Sequence, residues 1–271
     1  MNAPVSSPDL LATIVAASTR AVAVRSREVP IDALERRAGQ EGRQPRGDAF
    51  ERALRGAAAP RIIAECKRRS PSRGILRADY DPAAHARAYE GAGAAAISVL
   101  TEPTFFDGAL EHLRAVRAAV QVPVLRKDFI VSEYQLVESV AHGADAVLLI
   151  VSALDDRQLR QLLEGGHALG LACLVEVHDT AEITRAVEAG ARVVGVNSRN
   201  LRTLSVDIRV LDTAATLLPT SVTAVAESGI RSTEDLARLS GAGYQAFLVG
   251  ERLMTQADPG AALTALRGVQ A

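Results

Sequence analysis

The segment ADAVLLIVSALDDRQLRQLLEGGHALGLACLVEVHDTAEITRAVEAGARVVGVN (Ala144–Asn197) reads as strand, helix, strand, helix, strand. Its apolar, β-branched runs Ala146–Val151, Leu171–Val177 and Arg192–Asn197 are short, and the last closes on a polar residue. Ala/Leu-rich amphipathic stretches lie between them. Asp155 and Asp179 stand where side-chain N-caps belong, and Gly170 and Gly190 fall where a helix C-terminus wants a left-handed residue. Short strands alternating with helices are joined by crossovers and therefore run parallel.

The same unit recurs to either side. Arg61–Lys67, Ala95–Leu100 and Val122–Lys127 precede it, and Val222–Glu227 and Gln245–Val249 follow, giving eight runs whose ends have a mean spacing of 26 residues. Gly93, Gly143 and Gly243 repeat the closing glycine and Ser232 the opening cap. Gly91-Ala92-Gly93 is not a dinucleotide fingerprint, because it follows a helix, precedes a strand and lacks the third glycine. Eight units predict an α/β protein with a single (β/α)8 TIM barrel over residues 60–271, an open doubly wound sheet being the alternative. Residues 1–59 are expected to form an N-terminal helical extension packed on the barrel. It would hold helices around Asp9–Arg25 and Ile31–Ala38, a Gly/Arg/Pro-rich stretch Gly39–Gly47 and a short helix near Ala49–Gly56. Ten arginines fall between Arg20 and Arg61, so this part reads either as a solvated extension or as an anion-binding arm.

The chain of 271 residues has a net charge of −1, which favours neither nucleic acid nor an anionic membrane surface as partner. Cys66 and Cys173 form no CxxC pair and fit a reducing, cytoplasmic setting. No apolar run is long enough to span a bilayer. Asp9 precedes the apolar stretch Leu10–Ala17 with no Lys or Arg before it, which argues against a secretory leader. Of 31 basic residues only two, Lys67 and Lys127, are lysine. Arginine stays charged at any usable pH, whereas a partly buried lysine can trade its proton. The two lysines are therefore either chance survivors on the surface or positions that need this chemistry.

Active residues of such barrels come from the C-terminal strand ends and the loops that follow. Those ends carry Glu65 and Lys67, Lys127, Glu176 and His178, Asn197 and Arg199, Glu227 to Gly229, and Gly250-Glu251. Strand alternation puts Glu65 and Lys67 on one face and Cys66 on the other. Glu65, Lys67, Lys127, Glu176 and Glu227 should converge in the barrel mouth, where buried charges must pair and tune one another. A salt-bridge network that merely closes the barrel top is the alternative. Ser228-Gly229 and Gly250-Glu251 follow strands seven and eight, the usual phosphate position, with Arg199 nearby to add charge. Glu251 puts a carboxylate beside that turn, so its side chain is expected to point away or meet Arg252. Arg68 and Arg69 either steer an anion or face water. The five histidines lack metal-ligand spacing, His178 reads as structural, and no motif for a metal or cofactor is visible.

At this point the residues resemble one family. IAECKRRSPSRG (Ile63–Gly74), SVLTEPTFFDG (Ser98–Gly108), LRKDFI (Leu125–Ile130), ADAVLLI (Ala144–Ile150), LVEVH (Leu174–His178), GVNSRNL (Gly195–Leu201), AESGI (Ala226–Ile230) and FLVGE (Phe247–Glu251) look like the blocks of indole-3-glycerol-phosphate synthases. The resemblance implies closure of 1-(2-carboxyphenylamino)-1-deoxyribulose 5-phosphate to indole-3-glycerol phosphate, with loss of CO2 and water, in tryptophan biosynthesis. It implies a phosphorylated small-molecule substrate, no cofactor, and a cytoplasmic enzyme that is a monomer. By the same resemblance Lys127 would be the acid for ring closure. Lys67 would help expel the hydroxyl or hold the substrate carboxylate. Glu176 would act as base or stabilise charge on nitrogen, with Glu65 and Glu227 in the same catalytic set. Asn197 would hold a sugar hydroxyl. Ser70, Arg199, Ser228, Gly229, Gly250 and Glu251 would surround the phosphate and carboxylate groups, and Phe106, Phe129 and Leu148 the anthranilate ring. Another phosphate-binding barrel, such as a phosphoribosyl isomerase, or a catalytically silent anion-binding barrel are the competing readings. Neither demands two inward lysines. The length leaves no room for a second fused barrel.

Overall fold

A computed structural model describes residues 9–40, 44–56 and 60–268. Its eight parallel strands are β1 (Arg61–Cys66), β2 (Ala96–Leu100), β3 (Val124–Lys127), β4 (Ala146–Ile150), β5 (Ala172–Val177), β6 (Val193–Asn197), β7 (Thr223–Glu227) and β8 (Ala246–Val249). They pair in sequence, and β1 also pairs with β8, so the sheet closes. Closure removes the open doubly wound alternative. Each run is a residue or two shorter than its sequence pattern, because the ladder ends where the chain turns into a helix or loop.

The barrel helices are α4 (Pro82–Gly91), α5 (Pro103–Phe106), α6 (Leu110–Ala119), α7 (Glu133–Ala141), α8 (Asp156–Ala168), α9 (Thr180–Glu188), α10 (Arg209–Ala215), α11 (Thr233–Gly241), α12 (Glu251–Met254) and α13 (Pro259–Leu266). Asp155, Asp179 and Ser232 do cap α8, α9 and α11 through their side chains. Gly93, Gly143, Gly170, Gly190 and Gly243 all take positive φ at helix ends. A Cβ there would cost about 1–2 kcal/mol.

Alternation splits the strand side chains into two cores. Ile62, Ala64, Cys66, Val147, Leu149, Val175 and Val177 face the helices, whereas Ile63, Leu125, Leu148, Leu174, Val225 and Leu248 fill the barrel interior. Both cysteines are free and buried.

The extension is part of this packing. It comprises α1 (Leu10–Glu28), α2 (Ile31–Gln40) and α3 (Gly47–Ala53). The Gly39–Gly47 stretch crosses residues 41–43, which lie outside the described residues. α3 closes the bottom of the barrel. Gly47 lies against the backbone at Gly170–Ala172 with no room for a Cβ, and Phe50 and Leu54 are wholly buried with the interior core. α1 lies over the opposite end, where Leu11 and Ile14 join that same core. Several of its arginines serve the barrel. Arg25 grips Glu138 on α7 with two hydrogen bonds, Arg46 binds Asp145 ahead of β4, and Arg55 donates to Thr223 at the start of β7. These three arginines are engaged by the barrel.

Candidate active site

The parallel register sets the functional side chains at one height. Leu100 stands opposite Lys127, Ile150 opposite Glu176, and Asn197 opposite Glu227. A cavity of about 520 Å³ opens at these strand ends. That is a size suited to a small ligand. The residues that the family resemblance gave a catalytic or binding role all line it: Glu65, Lys67, Ser70, Phe106, Lys127, Phe129, Leu148, Glu176, Asn197, Arg199, Glu227, Ser228, Gly229, Gly250 and Glu251.

Its floor is a charged cluster. Lys127 Nζ donates to Glu176 Oε2 at 3.1 Å and stands 3.8 Å from Glu227 Oε2. Lys67 is ion-paired with Glu65. Glu65, Glu176 and Glu227 are almost completely buried. Burial opposes the Lys127 charge, but the carboxylates of Glu176, Glu227 and Glu65 outweigh it and hold the ammonium above lysine's ordinary range. The sequence-based reason for choosing lysine, easy loss of the proton on burial, is therefore reversed in the free protein. Glu176 is pushed up by burial yet held well below the usual carboxylate range, first by Lys127 and then by His178 and Asn197. Glu227, raised by burial and then by the Glu176 charge, sits well above it. Two carboxyls share a site and only the one nearer the cations is ionised. The cluster thus presents a charged ammonium, a carboxylate and a neutral carboxyl to whatever enters.

Two glycines make this crowding feasible. A Cβ on Gly195 of β6 would overlap Glu227 Oε1, and one on Gly250 would overlap Glu65 Oε2. Gly250 thus serves the Glu65 carboxylate as well as the turn it begins. Gly195→Ala is expected to displace the Glu227 carboxyl and cut kcat by about 10²-fold, the usual effect of an ångström-scale misplacement. KM should rise as well, because the displaced Glu227 lines the cavity. Steady-state kinetics with a thermal melt as control checks this, and wild-type kcat in the variant would refute it.

One wall is apolar. Glu102 accepts hydrogen bonds from the N–H groups of Thr104, Phe105 and Phe106, capping α5 and fixing its direction. Phe106 and Phe129 lie with ring centroids 6.2 Å apart, and Leu148 and Ile150 continue the surface. Leu10, Leu11 and Ile14 of α1 add residues the strand ends did not reveal. Their helical spacing was visible in the sequence, but it reads like any buried stripe.

The opposite wall is basic and glycine-rich. Ser228 and Gly229 have φ of 66° and 75°. For serine this left-handed backbone is uncommon and costs roughly 1–3 kcal/mol, a feature concentrated at ligand sites. Glu251 does not meet Arg252. It binds Arg73 at 2.8 Å and approaches Arg199 at 3.5 Å. Two guanidiniums compete for it from the hairpin (Arg69–Ser70 with Gly74–Ile75) and the loop after β6, whereas Arg252 donates to the carbonyl of Arg231. Arg73 was legible in the block Ile63–Gly74 but carried no distinguishing mark. Arg68 pairs with Asp107, so it is not a free steering charge.

His178 does not line this cavity and faces a separate groove beside α9 and α10. Its Nε2 is 3.3 Å from Glu176 Oε1.

Comparison with known proteins agrees with this geometry. The family model described as indole-3-glycerol phosphate synthase matches residues 11–266. Indole-3-glycerol phosphate synthase of Parafrankia sp. (strain EAN1pec) is 54% identical over 88% of this chain and 87% of its own length. The protein of that name from Mycolicibacterium vanbaalenii is 50% identical over 96% and 94%. Indole-3-glycerol phosphate synthase 1 of Streptomyces coelicolor is 50% identical over 90% of each. Among solved structures, 3-hexulose-6-phosphate synthase superposes with a TM-score of 0.63 at 19% identity, covering 78% of this chain and all 100% of that one. At that identity the likeness speaks for the barrel fold alone.

Proposed function

Since this chain belongs to the indole-3-glycerol phosphate synthase family, we propose a division of labour among its site residues. The family's reaction, a step of tryptophan biosynthesis, closes the pyrrole ring of 1-(2-carboxyphenylamino)-1-deoxyribulose 5-phosphate with loss of CO2 and water. The aromatic carbon bearing the carboxylate attacks the ribulose carbonyl, and the carbonyl oxygen needs a proton as the bond forms. Lys127 supplies it. Its ammonium is fully charged in the free site, and the developing alkoxide is a stronger base than the amine left behind. The ring nitrogen is then positive until CO2 leaves. The Glu176 carboxylate, ionised beside Lys127, stabilises that charge and takes a proton as the indole forms.

Loss of the new hydroxyl needs a second acid. Lys67, hydrogen-bonding distance from Glu65 and facing the same cavity, protonates the departing oxygen, and Glu65 keeps that ammonium in place. Glu227, as a neutral carboxyl, and Asn197 hold sugar hydroxyls. Ser70, Arg199, Ser228, Gly229 and Gly250 receive the phosphate, with Glu251 holding Arg199 and Arg73 at its edge. Phe106, Phe129 and Leu148 receive the anthranilate ring. The observation that carries this reading is the Lys127–Glu176–Glu227 cluster at one end of a cavity whose other walls are apolar and basic.

We propose that the enzyme acts as a monomer in the cytoplasm; the two buried free cysteines of the chain support that setting. No helix of the described residues is long and apolar enough to cross a membrane.

Turnover is followed by the fluorescence of the indole product. Lys67→Met is expected to lower kcat by roughly 10²-fold with little change in KM. A raised KM at wild-type kcat would instead assign Lys67 to the substrate carboxylate.

A further inference from the structure

Among the described residues, His178 is a titratable side chain that touches the catalytic cluster without lining the cavity. It follows β5, whose last turn inward carries Glu176. Its two ring nitrogens both face carboxylates: Nε2 stands 3.3 Å from Glu176 Oε1, and Nδ1 stands 3.1 Å from Glu182 Oε2. Nδ1 is hydrogen-bonded to Glu182, whereas Nε2 is buried without an aligned hydrogen-bond partner and lies in ion-pair range of Glu176; a ring flanked by two carboxylates is stabilised as the imidazolium. Glu182 is itself fixed. Its Oε2 also accepts the backbone N–H of His178 at 2.8 Å, and its own N–H donates to the Asp179 cap of α9 at 2.9 Å. The ring is therefore held by the first turn of α9 and cannot easily swing away from Glu176.

The Glu176 carboxylate is consequently divided. Oε2 accepts from Lys127 inside the cavity, and Oε1 faces His178 outside it. Among the described residues Glu227 has no such second cation, and its Oε1 has no hydrogen-bond partner. We propose that His178 is a positioning residue that assigns the shared proton of the Glu176–Glu227 pair to Glu227, leaving Glu176 the anion that opposes Lys127 and the substrate nitrogen. This deepens the site reading above and rests on it.

The surroundings of the ring are consistent with that task. Besides Glu176, Glu182 and Asp179, the shallow groove over His178 is lined by Asp207 and Arg209 at the start of α10. Those two are bound to each other at 2.8 Å and offer the ring no net charge. Burial works against the imidazolium, but the carboxylates of Glu176 and Glu182 more than offset it and raise the ring to about 10. The cation is thus present throughout the neutral range and is lost as pH rises through about 10. Glu176, held low, loses its charge only as pH falls well below the usual carboxylate range.

The test compares wild type, His178→Ala and His178→Gln in pH profiles of kcat and KM, using indole fluorescence. In His178→Ala, kcat at neutral pH should fall roughly ten- to a hundredfold, in line with the roughly one to two pH units by which a neighbouring cation moves a carboxylate. KM should change little. The acid limb of the kcat profile should move upward by about one to two pH units, because one of two cations beside Glu176 is gone. His178→Gln, which keeps a donor but no charge, should regain part of kcat without restoring the limb. It also carries the test if the alanine variant does not fold. A loss of kcat with an unshifted limb in either variant overturns the proposal and leaves His178 a packing residue. If instead Lys127→Met retained full activity, the reading of the site itself would fall, whatever the His178 variants did.

Discussion

Lys127→Met is expected to lower kcat by about 10²- to 10⁴-fold, the usual contribution of a positioned general acid. Methionine matches the length of the lysine stem and fills its place, so the loss reports the ammonium. KM should change far less, because Lys127 acts on an oxygen that becomes basic only as the ring closes, and an interaction confined to the transition state shows in kcat. The substitution also removes the cation 3.1 Å from Glu176 and 3.8 Å from Glu227. His178 still faces Glu176, which limits the cost of leaving that carboxylate buried. A thermal melt measured in parallel separates instability from lost chemistry. A folded Lys127→Met protein with wild-type kcat would remove the proposed mechanism.

Arg126→Met is expected to destabilise the fold by about 3–5 kcal/mol, the cost of stranding buried charges whose partner has been removed. Arg126 precedes Lys127 but points the other way, into the layer between β3 and α7, and is completely buried. It donates to Thr101, Asp128, Glu138, Ser139 and the carbonyl of Gln135, so its donors are well used. Removing it leaves Asp128 and Glu138 in an apolar layer with Arg25 as the remaining cation on Glu138. Against a total stability of about 5–15 kcal/mol this is a large fraction. The melting temperature should fall by roughly 10 °C. Arg126→Lys should recover only part, because a point charge cannot reproduce the forked contacts. An unchanged urea midpoint for Arg126→Met would show that the network contributes nothing to folding. Because β3 carries Lys127 and Glu138 holds Arg25 of α1, partial unfolding here would also loosen the site and its roof.

Much of the barrel is written locally. The caps at Asp155, Asp179 and Ser232, the closing glycines, and the runs between them are each decided within a few residues, so a single chain reading finds them. The same locality places Glu65 and Lys67 on one face and Cys66 on the other, since alternation along a strand needs no tertiary information. The strand ends then name the charged cluster of the cavity. What the sequence left open or misjudged involved neighbours far apart in sequence. Arg252 adjoins Glu251, yet the carboxylate reaches Arg73 and Arg199. Lysine's tendency to lose its proton on burial gave the wrong sign for Lys127, because the outcome depends on three carboxylates from three other strands.

The sequence by itself determined that the two lysines sit at the ends of strands one and three, on the functional end of an eight-unit barrel. Only the tertiary structure decided that Lys127 stays charged, that Gly195 makes room for Glu227, that Leu11 and Ile14 roof the site, and that His178 reaches Glu176 from behind. The division has one physical cause. Backbone periodicity and capping act over a few residues, whereas charge state and close packing are set by whichever atoms the closed sheet brings within a few ångströms.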